Sequence, residues 1–101
     1  MIEVYATQRG GKYRLFLTGH ATAGEESDAV CAAVSSLVQA LFLFATECDE
    51  CRYLRHYLRS GEAFLSCRGG LGRGFDVVMT GLSAIAKAHP EAVAIRALHR
   101  S

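Results

Sequence analysis

A histidine and a cysteine stand on the two sides of one short loop in this chain, and together they are the residues best suited to chemistry. His20 follows Thr18-Gly19 at the close of an extended segment, and Cys31 lies near the start of a long uncharged run. A thiol attacks as thiolate, and an adjacent imidazole or a helix N-terminus favours that form. The spacing therefore predicts nucleophilic thiol chemistry, with Cys31 as nucleophile and His20 as the base that takes its proton. Asp28, just ahead of Cys31, is expected to cap the helix and, second, to orient the imidazole. Gly19, Ala32 and Ser35 flank the pair and are expected to line the substrate site. The plainer reading is a cysteine packed as a small apolar side chain and a histidine near a surface turn.

Gly19-His20-Ala21, then Asp28 and Cys31-Ala32-Ala33-Val34-Ser35, resembles the ribosomal-processing cysteine protease family (Prp). The likeness runs from Met1-Ile2-Glu3-Val4 to the Gly81-Leu82, Ala86 and Pro90 positions. The two blocks are specific together; a lone Gly-His or Cys-Ala-Ala is not. The loop between them is shorter than the family pattern, and Glu26 stands where that pattern has glycine. The resemblance implies a cytoplasmic bacterial endopeptidase, acting as a homodimer without metal or organic cofactor. Its implied substrate is the precursor of large-subunit ribosomal protein twenty-seven, which loses a short N-terminal extension.

The remaining cysteines raise rival chemistries. Cys48-x-x-Cys51, with Cys67 and His56 further on, invites a zinc or redox reading. A zinc site of the knuckle type pairs two such spacings, and here there is one. A redox pair opens a helix, whereas this one closes it among Glu47, Asp49 and Glu50, whose charges oppose thiolate. Cysteines fallen by chance near a helix end are the better account. The run Arg68-Gly69-Gly70-Leu71-Gly72-Arg73-Gly74 lacks the lysine of a phosphate loop and reads as a turn between strand and helix. The other rival class is a non-catalytic ribosome-assembly or peptide-binding module with Cys31 merely packed.

These groups have to be positioned by a small framework. The chain has 101 residues, 50% of them hydrophobic, with 11 Lys and Arg against 10 Asp and Glu, which suits one ordinary globular domain. So even a balance argues against a dedicated nucleic-acid binder, and the Arg52, Arg55, His56 and Arg59 run reads as a solvated strand face. No charged stretch precedes an apolar one as in a secretory signal. Alternation predicts strands over Ile2 to Thr7, Tyr13 to Thr18, Tyr53 to Leu58 and Ala63 to Cys67, with Ala92 to Ala97 extended and Leu98 to Ser101 frayed. Apolar residues at helical spacing predict helices from Ala29 to Thr46 and Phe75 to Ala88, with Pro90 as a stop. In the first, Val30, Val34, Leu37, Leu41 and Phe44 form one stripe beside Val38, Phe42 and Ala45. Ser35, Ser36 and Gln39 interrupt that run and no strong basic flank orients it, so a buried central helix is expected, not a membrane span. Thr22 to Ser27, small and acidic, is expected to be a mobile loop that orders over substrate. The result is an α+β fold, ββαββα with a last β, built on a mostly antiparallel sheet.

Overall fold

Alternating apolar residues in five segments give strands with one greasy and one polar face, and two apolar helices cover the greasy one. In the computed structural model, residues 1–22 and 26–100 are described, the Arg100 side chain aside. The elements are β1 (Ile2–Arg9), β2 (Lys12–Thr18), α1 (Ser27–Glu47), β3 (Arg52–Arg59), β4 (Glu62–Arg68), α2 (Gly72–Ala88) and β5 (Val93–Arg100). The sheet order is β3-β4-β2-β1-β5. Neighbours are antiparallel except β1 and β5, which run parallel.

Register lines up the buried residues of successive strands. Ala6 faces Leu15, and Leu15 faces Leu65, all on the side that the helices cover. On α1 the buried stripe is Val30, Val34, Val38, Leu41, Phe42 and Ala45. Central burial of α1 therefore holds on one side only. Phe44, expected within the stripe, is 46% exposed and Leu43 is 62% exposed, because a helix on one layer has only one covered face. By length and composition α1 is also apolar enough to cross a membrane.

Two ends differ from expectation. Gly72, Arg73 and Gly74 belong to α2, which begins directly after the buried Leu71. Their small size has a use there: a Cβ at Gly74 would stand 3.3 Å from the Phe44 ring, and one at Gly81 would stand 2.8 Å from Leu37 Cδ1. Side chains at these positions would push the two helices apart. The supposedly frayed tail is strand instead, since Leu98, His99 and Arg100 pair with Ala6, Thr7 and Gln8. The expected mobile segment between His20 and Cys31 falls largely on residues 23–25, outside the described residues.

Candidate active site

The end of β2, the β3–β4 turn and the start of α1 meet at one corner. Gly19 N–H donates to Gly61 O at 2.9 Å, tying the chain just before His20 to that turn. The imidazole lies directly over Gly61: a Cβ added there would be 2.7 Å from His20 Nε2. Gly61 also has φ +76°, a left-handed backbone that L side chains avoid. Ser60-Gly61-Glu62 lies between the two segments expected as strands from Tyr53 to Leu58 and Ala63 to Cys67, but nothing in the sequence ties it to His20. The Cys31 sulfur is held by the residue after the histidine: it accepts from Ala21 N–H at 3.4 Å and donates toward Ala21 O at 3.7 Å. The two side chains share a cavity of about 310 Å³, with Gly19, Ser35, Gly61 and Glu62 also on its wall. No hydrogen bond joins His20 to Cys31 among the described residues, and such bonds often tighten only with substrate present.

Of the residues expected at the site, Gly19, His20, Cys31 and Ser35 come together, while Asp28 and Ala32 do not line the cavity. Asp28 is not the cap. The cap position is Glu26, no side chain bonds it, and Asp28 lies exposed in the first turn. There its charge still suits the positive end of the helix dipole. Because α1 starts at Ser27 and not at Ala29, Cys31 sits two residues further in than expected, at the fifth helical position. Backbone N–H groups from Asp28 to Ala32, near the helix start, are candidates to meet a developing oxyanion. The Val30 N–H is already spent on Glu26 O at 2.9 Å. The backbone donor found at the sulfur is that of Ala21.

At the far end of α1 the other three cysteines converge. A Cβ at Gly70, whose φ is +76°, would stand 2.8 Å from both Cys48 Sγ and Cys51 Sγ. Cys48 donates toward Gly70 O at 3.7 Å and Cys67 toward Gly69 O at 3.9 Å. Burial first, then the neighbouring Cys48 and Cys67 thiols, pushes Cys51 up to about 12. Burial likewise raises Cys67. These thiols stay protonated at neutral pH, the opposite of an activated redox pair. Among the described residues, no group of three His, Cys, Asp or Glu side chains is arranged to hold a metal ion. His56 instead packs edge-on against Phe42, with ring centroids 5.8 Å apart.

A larger depression, about 510 Å³, lies on the uncovered face of the sheet and holds neither His20 nor Cys31. The reactive side chains mark the smaller cavity as the site.

Residues 1–94 match the family model described as cysteine protease Prp. No curated protein sequence matches the chain. Among solved structures it is similar to SMU.848 from Streptococcus mutans, at 25% identity over 98% of each chain with a TM-score of 0.71. It is also similar to the essential ribosomal processing protease Prp of S. aureus, solved with a substrate peptide, at 20% identity over 96% of this chain and 99% of that one, TM-score 0.72. The same S. aureus protease with a covalently linked product peptide gives 20% identity, full coverage of both chains and a TM-score of 0.73. At that identity the S. aureus structures establish the likeness of fold.

Proposed function

The chain belongs to the cysteine protease Prp family, and on that premise we propose that it is an endopeptidase removing a short N-terminal extension from a large-subunit ribosomal protein precursor. One observation carries the reading: His20 and Cys31, delivered by separate elements, line the same cavity beside an exposed approach. In the reaction His20 takes the thiol proton and the sulfur attacks the scissile carbonyl carbon. The Ala21 N–H, already at the sulfur, is the donor placed to meet negative charge there. The C–N bond then breaks, and the imidazolium gives its proton to the leaving amine. Water, deprotonated by His20, releases the acyl group from sulfur. Asp28 enters as a charge at the positive end of the helix, not as a hydrogen-bonded orienter.

The substrate assignment draws on the S. aureus relative, described as a ribosomal processing protease with a substrate peptide. A ribosomal protein precursor is met in the cytoplasm, where free thiols persist, and all four cysteines are free. Two copies pair through the outer face of the helices, where Leu43, Phe44 and Val77 are exposed around an apolar groove between α1 and α2. The deciding experiment incubates the protein with a ribosomal protein precursor and reads the new N-terminus by mass spectrometry. Cleavage that Cys31→Ala abolishes is expected; cleavage that survives it would overturn the reading.

A further inference from the structure

The face of the sheet that no helix covers is ordered in rows running across the strands. Register places Tyr5 beside Phe16, Phe16 beside Phe64 and Phe64 beside Tyr57, so four aromatic rings form one line over β1, β2, β4 and β3. Tyr57 and Phe64 are stacked with centroids 5.6 Å apart, and Tyr5 and Phe16 are 6.1 Å apart. Arg14 lies 5.9 Å over the Phe64 ring, and Arg59 lies 4.3 Å over Tyr57. At the usual strand separation the line spans about 14 Å.

Cations fill the rows on one side of it. The next row carries Arg14 and Arg55, and the one beyond it Arg9, Lys12, Arg68 and Arg52. A bulge in β3 adds Tyr53, 79% exposed with φ +56°, to a second depression that Lys12, Arg55 and Arg68 also line. A bulky residue held in that backbone region is strained, which is a common mark of a binding surface. Among the described strand residues the carboxylates are Glu3 and Glu62, each already paired with an arginine, Arg96 and Arg59. The other acidic side chains among the described residues belong to the helices and loops. The near-neutral total of the chain therefore coexists with a cationic excess on the strands.

We propose that this uncovered face binds single-stranded RNA across the strands, bases stacked on the Tyr5-Phe16-Phe64-Tyr57 line and phosphates on the arginine and lysine rows. Aromatic rings on an open sheet stack two or three bases, and adjacent cations track the backbone. A row of rings on an open sheet suits unpaired bases and offers nothing to the closed edges of a duplex. The choice of RNA over DNA rests on the proposed ribosomal substrate, whose surroundings are RNA; the surface itself does not. Bound there, the RNA would hold the protease beside its substrate while leaving the cavity of Cys31 open on the other side of the sheet.

The test is fluorescence anisotropy with a labelled single-stranded RNA of about a dozen nucleotides, over a range of salt. Salt-dependent binding is expected, and the Lys12→Gln/Arg55→Gln/Arg68→Gln variant should flatten the log–log salt slope by about 2. Phe64→Ala should weaken binding at least about fivefold, and Tyr5→Ser, at a more exposed ring, gives the same test with less risk to folding. The Arg73→Gln/Lys87→Gln variant removes charge from the helix layer and should leave binding as it was. Cys31→Ala should bind RNA like the parent protein, so failure of the protease reading and failure of this one are separately visible. Absence of binding at low salt would overturn the proposal, as would an equal loss in the helix-layer variant. Equal affinity for DNA of the same sequence would overturn the assignment to RNA. If sedimentation shows the sheet-face variants breaking a dimer while RNA binding is unchanged, the face is an interface between copies and the proposal falls.

Discussion

One helix carries cysteine chemistry at both ends, and the two ends could hardly differ more. At the start of α1, Cys31 is half-exposed to a cavity, held by the Ala21 backbone, with the His20 imidazole on the wall of the same cavity. At its end, Cys48 and Cys51 crowd with Cys67 under the Gly69-Gly70 turn, where burial first, and for Cys51 the neighbouring thiols, keep Cys51 and Cys67 protonated. The helix dipole deepens the contrast: its positive end favours thiolate and its negative end opposes it. The acidic Glu47-Cys48-Asp49-Glu50-Cys51 segment adds charge of the same wrong sign. On the proposed reading, cysteine is a nucleophile by placement, and the same residue type at the opposite end of the helix is packing.

The comparison breaks most visibly by deletion. Cys31→Ala should cost on the order of 10⁴-fold or more in precursor cleavage, since it removes the atom that forms the bond. Cys51→Ala should leave cleavage per folded molecule unchanged. Comparable losses from both would mean that the two ends are not functionally distinct. His20→Ala comes next, with about 10²- to 10⁴-fold lower kcat and little change in substrate affinity. A variant that keeps kcat but loses affinity would make His20 a docking residue.

Two glycines sharpen the contrast because they have the same φ, +76°, at opposite corners. Each Gly→Ala change strains the backbone by roughly 1–2 kcal/mol. Gly61→Ala also drives a methyl group to 2.7 Å from His20 Nε2. A displaced base should lower kcat by on the order of 10²-fold. Gly70→Ala drives its methyl into the Cys48 and Cys51 sulfurs instead, so it should lower the unfolding midpoint and leave kcat alone. Measuring kcat on the folded fraction of each separates the two; an unchanged kcat in Gly61→Ala would detach that turn from the mechanism.

Much of this arrangement was legible in the chain, for reasons tied to range. Alternation in Ile2, Val4 and Ala6, and in Ala63, Leu65 and Cys67, reports burial directly, and those residues form the core face. The Gly19-His20 and Cys31 blocks pointed to the site because each is local. What stayed hidden depends on contacts between distant segments: the Gly61 turn under His20, the meeting of Cys67 with Cys48 and Cys51, and the Tyr5 to Tyr57 row across four strands. The Asp28 cap failed for a subtler reason. A side chain of the right type stood near the helix start, but the backbone turned helical one residue before it. Total charge says nothing of where the charges lie, because it sums over strands, helices and loops alike.

The smallest effect comes from the neutral thiols themselves. A free thiol titrates near 9.0, whereas Cys51 is pushed up to about 12 in the folded chain. Below pH 9 both states hold the proton and the group contributes no pH dependence. Above it the unfolded chain releases the proton while the folded chain keeps it, so the folded state binds more protons and stability falls as pH rises. Cys67 shifts in the same direction. In Cys51→Ala this contribution is absent, although at neutral pH the variant gives up the burial of the sulfur, about 1 kcal/mol or less. Tyr57, also raised by its bond to Glu62, titrates in the same range but does so in both proteins and cancels from the difference. Urea unfolding from pH about 8 to 11 should therefore show the parent losing stability faster than Cys51→Ala, with the gap between them narrowing and then reversing. A gap that stays constant across that range would mean that Cys51 ionises as freely folded as unfolded, and the buried thiol cluster would lose its electrostatic distinction from Cys31.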